Sequence, residues 1–114
     1  MQDCVFCLIS NKKIPSEIVY EDDELIAFKD NNPEAPVHIL IIPKKHIPSL
    51  MELNDCDMHL MPKIFDTARK LAREFKIDKS GFRLVCNCGK DGGQSVGHMH
   101  FHLLGGRAFK WPPG

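Results

Sequence analysis

Apolar positions recur in short blocks that switch between a period of two and a helical period, and no internal repeat, low-complexity tract or linker interrupts them. That alternation predicts an α+β domain. Phe6-Cys7-Leu8-Ile9 predicts a short first helix, capped by Asp3 and ended by Asn11-Lys12-Lys13 and Pro15. Glu17-Ile18-Val19-Tyr20 and Glu24-Leu25-Ile26-Ala27-Phe28 flank the polar pair Asp22-Asp23, the pattern of a β-hairpin. His38 to Ile42 is apolar on both faces and predicts a central strand, with Pro33, Pro36, Pro43 and Pro48 punctuating its ends.

From Asp55 onward, Met61, Ile64, Phe65, Ala68, Leu71, Ala72 and Phe75 recur at steps of three and four, the apolar stripe of one long amphipathic helix. Pro62 sits early in it, which predicts either a kink or a start near Met61. Gly81 is expected to stop the helical segment, Phe82 to Cys86 to form a fourth strand and Val96 to Leu104 a fifth. Gly89-Lys90-Asp91-Gly92-Gly93-Gln94-Ser95 reads as a glycine-rich loop between them.

Length changes this picture little, since 114 residues suit one hydrophobic core and hence a single domain over residues 1–114. Charge changes more. Lys plus Arg number 15 and Asp plus Glu 15, so no net field favours nucleic acid or an anionic membrane, and an anionic ligand must be held by local groups. The longest apolar runs, such as Ile39-Leu40-Ile41-Ile42, fall far short of the roughly 20 residues of a membrane span and of a signal-peptide core. A cytoplasmic protein is expected. Five cysteines, an odd number with Cys4/Cys7 and Cys86/Cys88 closely spaced, argue for reduced thiols or a metal rather than a disulfide framework. Cys56, Cys86 and Cys88 read as packing residues, and His59 receives no role.

The chemistry concentrates in His98-Met99-His100-Phe101-His102. In an extended strand His98, His100 and His102 share one face while Met99, Phe101 and Leu103 point to the other. Three imidazoles on one face suit a reactive centre, a zinc site or a solvated surface. Gly92-Gly93-Gln94-Ser95 just before them can turn backbone N–H groups inward around an anion, with Gln94 and Ser95 adding side-chain donors. A phosphate then meets a nucleophilic imidazole, while a second histidine kept cationic stabilises the phosphoryl oxygens.

His98-Met99-His100-Phe101-His102-Leu103-Leu104 resembles the His-x-His-x-His-x-x motif of the histidine triad (HIT) superfamily, with x apolar. Asp22-Asp23, Ala27-Phe28-Lys29-Asp30, Pro33-Glu34-Ala35-Pro36-Val37-His38, Ile42-Pro43-Lys44-Lys45-His46, Asp91 to Ser95 and Leu104-Gly105-Gly106-Arg107 through Trp111-Pro112-Pro113-Gly114 are similar to its histidine triad nucleotide-binding (Hint) branch. The resemblance implies a HIT-like fold, a five-stranded, mainly antiparallel sheet with one long and one short helix, extended across a homodimer. It implies a purine nucleoside phosphoramidase in which His100 attacks the α-phosphorus and water releases the nucleotidyl-histidine. His102 would contact the phosphoryl oxygens, His38 would support the histidine cluster, and Ser95 and Gln94 would meet the phosphate and departing group. Asn87 and Gly93 would lie beside the ribose and phosphate, and Asp30 would accept the ribose hydroxyls. Ile14 and Phe28, with Phe6 nearby, would wall a purine cleft. Asn31 departs from the usual apolar residue at that edge. Trp111 would approach the partner subunit's site.

Cys4-Val5-Phe6-Cys7 is a Cys-x-x-Cys pair, which by itself fits a metal, a redox couple or free thiols. The resemblance to bacterial members implies a structural zinc on Cys4, Cys7, His46 and His98, and no catalytic cofactor. Dinucleoside polyphosphate hydrolysis, nucleotidyl transfer and a nucleotide-binding regulatory module are the competing functions.

Overall fold

The computed structural model describes residues 4–114, so the expected cap at Asp3 lies outside the described residues. The elements are α1 (Val5–Ser10), β1 (Ile18–Glu21), β2 (Leu25–Lys29), β3 (Val37–Pro43), α2 (Leu60–Glu74), β4 (Phe82–Val85), α3 (Gly89–Gly92) and β5 (Phe101–Gly105). Five antiparallel strands form one sheet in the order β1-β2-β3-β5-β4. The strand read as apolar on both faces, β3, is central.

The β1–β2 turn is nucleated by Asp22, whose carboxylate accepts the backbone N–H groups of Glu24 and Leu25, each at 2.8 Å, and the Tyr20 hydroxyl at 2.6 Å. One face of the sheet packs Leu25, Ala27, Ile39, Ile41, Met99, Phe101 and Leu103 against Ile64, Ala68 and Leu71 of α2. The other packs Ile26, Phe28, Leu40 and Ile42 against Phe6 and Ile9 of α1. These two apolar layers are the core, and the hydrophobic effect drives their formation.

Several boundaries move from the sequence reading. The Pro62 position demands no kink, because Pro62 is the third residue of α2 and its missing N–H falls among first-turn donors that lack helical partners anyway. The helix ends at Glu74, not at Gly81: Phe75 caps it and Lys76 turns left-handed with φ 60°. Phe65 was expected on the buried stripe but is 52% exposed, its ring making an edge contact with Phe101.

The expected fifth strand from Val96 shortens to Phe101–Gly105. His98 N–H bonds the Val96 carbonyl at 2.8 Å, a tight turn, and Met99 N–H bonds Ile47 at 2.7 Å instead of a neighbouring strand. The in-and-out alternation survives this bend: Met99, Phe101 and Leu103 lie in the α2-side core, while Phe6 on the opposite face packs edge-on against His98 and His100.

At the end of β5, Gly105 faces Ile77, and an added Cβ would lie 2.6 Å from Ile77 Cδ1 and 2.9 Å from its Cβ. Ile77 is buried and cannot withdraw. Gly105→Ala is therefore expected to cost about 1–3 kcal/mol, the usual penalty of overpacking, read as a lowered urea midpoint. An unchanged midpoint would show that the β5 end shifts freely.

Candidate active site

The bend before β5 delivers His98 and His100 to the α1 side of the sheet, fully buried, with His102 half-buried one step further along. His100 packs edge-on to both Phe6 and His102, with ring centroids 5.0 Å away in each case. His38, from β3, joins the group: its Nε2 is 2.9 Å from His102 Nδ1.

The hydrogen bonds determine which nitrogen of each ring carries the proton. The Glu34 backbone N–H donates to His38 Nδ1 at 3.0 Å, so His38 holds its hydrogen on Nε2 and donates it to His102 Nδ1. His102 must then carry its own hydrogen on Nε2. That atom is buried and has no hydrogen-bond partner. In parallel, His100 Nδ1 donates to the His98 carbonyl at 2.7 Å, which leaves an unshared electron pair on His100 Nε2. A lone pair on one imidazole thus sits beside a waiting N–H donor on the next.

A cationic neighbour was expected here, and the structure corrects this. Burial, reinforced by the adjoining His100 and His38, pushes the pKa of His102 down to about 4, and burial also lowers that of His38 against the pull of Asp30 and Glu34. Both rings are neutral at pH 7 because charging them would strip a solvated cation of its water. They act as hydrogen-bond donors, and the 3.5 Å approach of Asp30 Oδ2 to His38 Nε2 is a polar contact rather than an ion pair. The sign of the resulting pH effect is set by the unfolded chain, whose histidine at its ordinary 6.5 takes up the proton first. Stability is accordingly expected to fall as pH drops from 6.5 towards 4. The urea midpoint should slope less steeply in His102→Gln, and identical slopes would refute the assignment.

His100 and His102 close one end of a cleft of about 250 Å³. Phe6, Phe28 and Leu40 supply an apolar wall and Ser95 also lines the cleft; the Asp30 carboxylate stands beside the histidines, with ligand atoms of Asp30, His38 and His102 all within 4.8 Å of one another. Ser16 and Asn32 also line it, with Asn31 at the position expected to depart from the apolar pattern; no motif in the sequence marked Ser16 or Asn32. Ile14 lies behind the cleft, packed against the Phe6–Phe28 cluster.

Three expected contacts fall elsewhere. The Gln94 carboxamide folds back on its own loop, accepting from Gly89 N–H at 3.0 Å and donating to the Pro48 and Val96 carbonyls at 2.7 and 2.9 Å. Its donors are spent on holding the loop, so it offers none to a phosphate. Gly93 is an exposed left-handed helix terminator with φ 81°, a conformation that glycine adopts without strain. Asn87 lines a second, larger cavity on the far side of His102. Trp111 is 82% exposed, while Pro113 and Gly114 line that second cavity of their own chain.

Behind His98 lies a distinct cluster. Cys4 Sγ and Cys7 Sγ are 3.5 and 3.6 Å from His98 Nδ1, and Cys7 Sγ is 3.2 Å from His46 Nδ1. All four ligand atoms lie within 4.8 Å of one another. Tetrahedral zinc, with Zn–S about 2.3 Å and Zn–N about 2.0 Å, spaces sulfur and nitrogen ligands roughly 3.5 Å apart, so the donor set fits. His98 Nε2 donates to the Pro43 carbonyl at 2.7 Å, which directs its Nδ1 lone pair at the thiols as a metal ligand requires.

This combination of sheet, histidine relay and cleft matches a known family. The HIT domain family matches residues 11–109, and the chain belongs to it. A HIT-like protein of Synechocystis is 48% identical over 113 residues, covering 99% of this chain and 98% of that protein. A HIT family hydrolase from Legionella pneumophila superposes with a TM-score of 0.95 at 48% identity, covering 98% of this chain and all of that one. A histidine triad protein from Clostridium difficile gives 0.93 at 48% identity, covering 96% of each chain. A zinc-bound histidine triad family protein from Mycobacterium smegmatis gives 0.80 at 30% identity, covering 93% of this chain and 76% of that one. The fold is therefore that of HIT family hydrolases. Among the described residues no helix is long and apolar enough to cross a membrane.

Proposed function

We propose that the chain hydrolyses purine nucleoside 5'-phosphoramidates through His100. Two observations together carry this reading: the relay from Glu34 N–H through His38 leaves His102 Nε2–H unpartnered, and the bond from His100 Nδ1 to the His98 carbonyl leaves the lone pair of His100 on Nε2.

In the first step His100 Nε2 forms a bond to the α-phosphorus as the P–N bond breaks. The departing nitrogen leaves as the amine, taking a proton through the Ser95 hydroxyl, and His102 Nε2–H donates to a phosphoryl oxygen. Water then attacks phosphorus, the P–His100 bond breaks and a nucleoside monophosphate is released. The purine lies against Phe6 and Phe28, and Asp30 accepts the ribose hydroxyls, which two carboxylate oxygens suit. Asp30→Asn keeps the shape but offers one acceptor fewer. It is expected to raise KM by about tenfold, the effect of one charge-assisted hydrogen bond, and an unchanged KM for a ribosyl substrate would remove Asp30 from this role.

A zinc held by Cys4, Cys7, His46 and His98 is part of the proposal. With four protein ligands such an ion would cross-link α1 to the triad segment and would leave no position open for chemistry. The zinc-bound mycobacterial relative supports this reading. The chain is also proposed to act as a homodimer in the cytoplasm: β4 is an edge strand with one unpaired backbone side, and its first residue, Phe82, is 38% exposed.

The test is a panel of phosphoramidate, dinucleoside polyphosphate and adenylylated-lysine substrates compared by kcat/KM. The phosphoramidate is expected to lead. If every value stays well below about 10⁴ M⁻¹s⁻¹, the lower end for ordinary enzymes, a nucleotide-binding module is the better description.

A further inference from the structure

Gln94 takes no part in the reaction as described, yet every hydrogen of its half-buried carboxamide is engaged. One N–H donates to the Pro48 carbonyl at 2.7 Å and the other to the Val96 carbonyl at 2.9 Å, while the oxygen accepts the Gly89 N–H at 3.0 Å. The Gln94 backbone N–H closes the ring by donating to the Gly89 carbonyl, also at 3.0 Å. Only one orientation of the carboxamide satisfies all three side-chain partners, so the group is held in a single place.

These bonds enclose Ser95. Gln94 precedes it, and the carbonyl of Val96 after it is held by the Gln94 side chain, so one carboxamide fixes both neighbours. The Val96 carbonyl also accepts the His98 N–H at 2.8 Å, which ties the same point to the turn that delivers the triad. Pro48 supplies the outer anchor from the segment that follows His46, and the Met99 N–H bonds Ile47, one residue before it, at 2.7 Å. The segment from Gly89 to Gly97 holds four glycines and, unbraced, would spread Ser95 over many positions. Ser95 is exposed at the cleft wall, so its backbone, and not surrounding packing, sets where the hydroxyl stands.

We propose that Gln94 is a positioning residue that acts through Ser95, its carboxamide clamp fixing the hydroxyl where it meets the departing nitrogen. This role rests on the reading of Ser95 as the group that passes a proton to the leaving group. The clamp sets a distance and alters none of the bonds that form or break in the step. Its effect is confined to leaving groups that need a proton. An alkylamine does, because its anion is far too basic to depart, whereas p-nitrophenolate leaves as the anion. The substrates that gain from the clamp are nucleotide derivatives of basic amines.

The test compares kcat/KM for adenosine 5'-N-methylphosphoramidate and for the p-nitrophenyl ester of AMP in wild type, Gln94→Glu, Gln94→Met and Ser95→Ala. A carboxylate cannot donate to the Pro48 and Val96 carbonyls, and Met keeps the length without any donor. On the amine substrate both Gln94 variants are expected to lose about 10²-fold, the effect of displacing a catalytic group by about 1 Å. On the ester they should stay within about threefold of wild type, since its leaving group departs unprotonated. Calorimetry should show AMP bound as in wild type, because the Gln94 donors face carbonyls and not the phosphate. Added to Ser95→Ala, either Gln94 change should cost almost nothing further, the non-additivity of residues that act as one unit. Urea midpoints near that of wild type are the control for folding, and Gln94→Met, which adds no charge, decides the matter if Gln94→Glu is unfolded. Equal losses on both substrates would reduce Gln94 to a structural role, weakened AMP binding would return it to the phosphate, and additive losses would separate it from Ser95; each overturns the proposal alone. Should wild type cleave no phosphoramidate, the phosphoramidase reading falls and this role falls with it.

Discussion

His100→Ala is expected to lose turnover of adenosine 5'-phosphoramidate by on the order of 10⁴-fold or more while still binding AMP, because a covalent route disappears with its nucleophile. The geometry makes the effect specific to Nε2. His100 Nδ1 is committed to the His98 carbonyl at 2.7 Å, so only Nε2 can reach phosphorus. The ring is buried against Phe6, and its removal leaves a void, so circular dichroism and the urea midpoint must accompany the assay. His100→Gln serves as the second variant, since its carboxamide can keep the bond to the His98 carbonyl and fill the space. Both variants folded and inactive, with trapped nucleotide absent from denatured protein, is the expected result. Normal rates in either would assign the nucleophile elsewhere.

Removing zinc is expected to produce the largest change in stability. The purified protein should hold one zinc per chain, and at free metal about 100-fold above the dissociation constant binding adds about 2.7 kcal/mol to the folded state. Chelation should then lower Tm by roughly 10 °C. Cys7→Ser should do the same without chelator, since Cys7 Sγ approaches both His46 and His98. Loss of the metal should also expose α1 to proteases first, because Cys4 and Cys7 bracket its first turn. A smaller fall in kcat is expected as well, since the His98 carbonyl that orients His100 belongs to a ligand residue. A metal-free protein whose Tm ignores chelator would show that the thiols are free.

Local signals carried most of the fold. The two-residue and helical periods located the five strands and the helices α1 and α2, but not α3, which forms at Gly89–Gly92 where the glycines read as a loop; the alternation in His98 to Leu103 assigned each residue to its face even though the strand there is shorter than expected. Alternation is a property of extended backbone and does not require a ladder, which is why it outlasted the bend at Val96. Boundaries were less legible. The helix end depended on Lys76 entering a left-handed conformation, which nothing in its neighbours' polarity announces.

The sequence by itself determined the chemistry available: imidazoles at alternate positions, a Cys-x-x-Cys pair, and a charge balance that confines anion binding to a site. Only the tertiary structure decided how that chemistry is shared out. Burial made His38 and His102 neutral donors instead of cations, because desolvation acts through the whole surrounding packing and not through adjacent residues. Contacts across 94, 64 and 46 positions respectively joined Cys4 to His98, His38 to His102 and Pro48 to Gln94. Strand register sets the His38–His102 pair, and the packing of loops and α1 around the sheet sets the other two, so that His98 meets the thiols, His102 meets His38 and His100 lies between them.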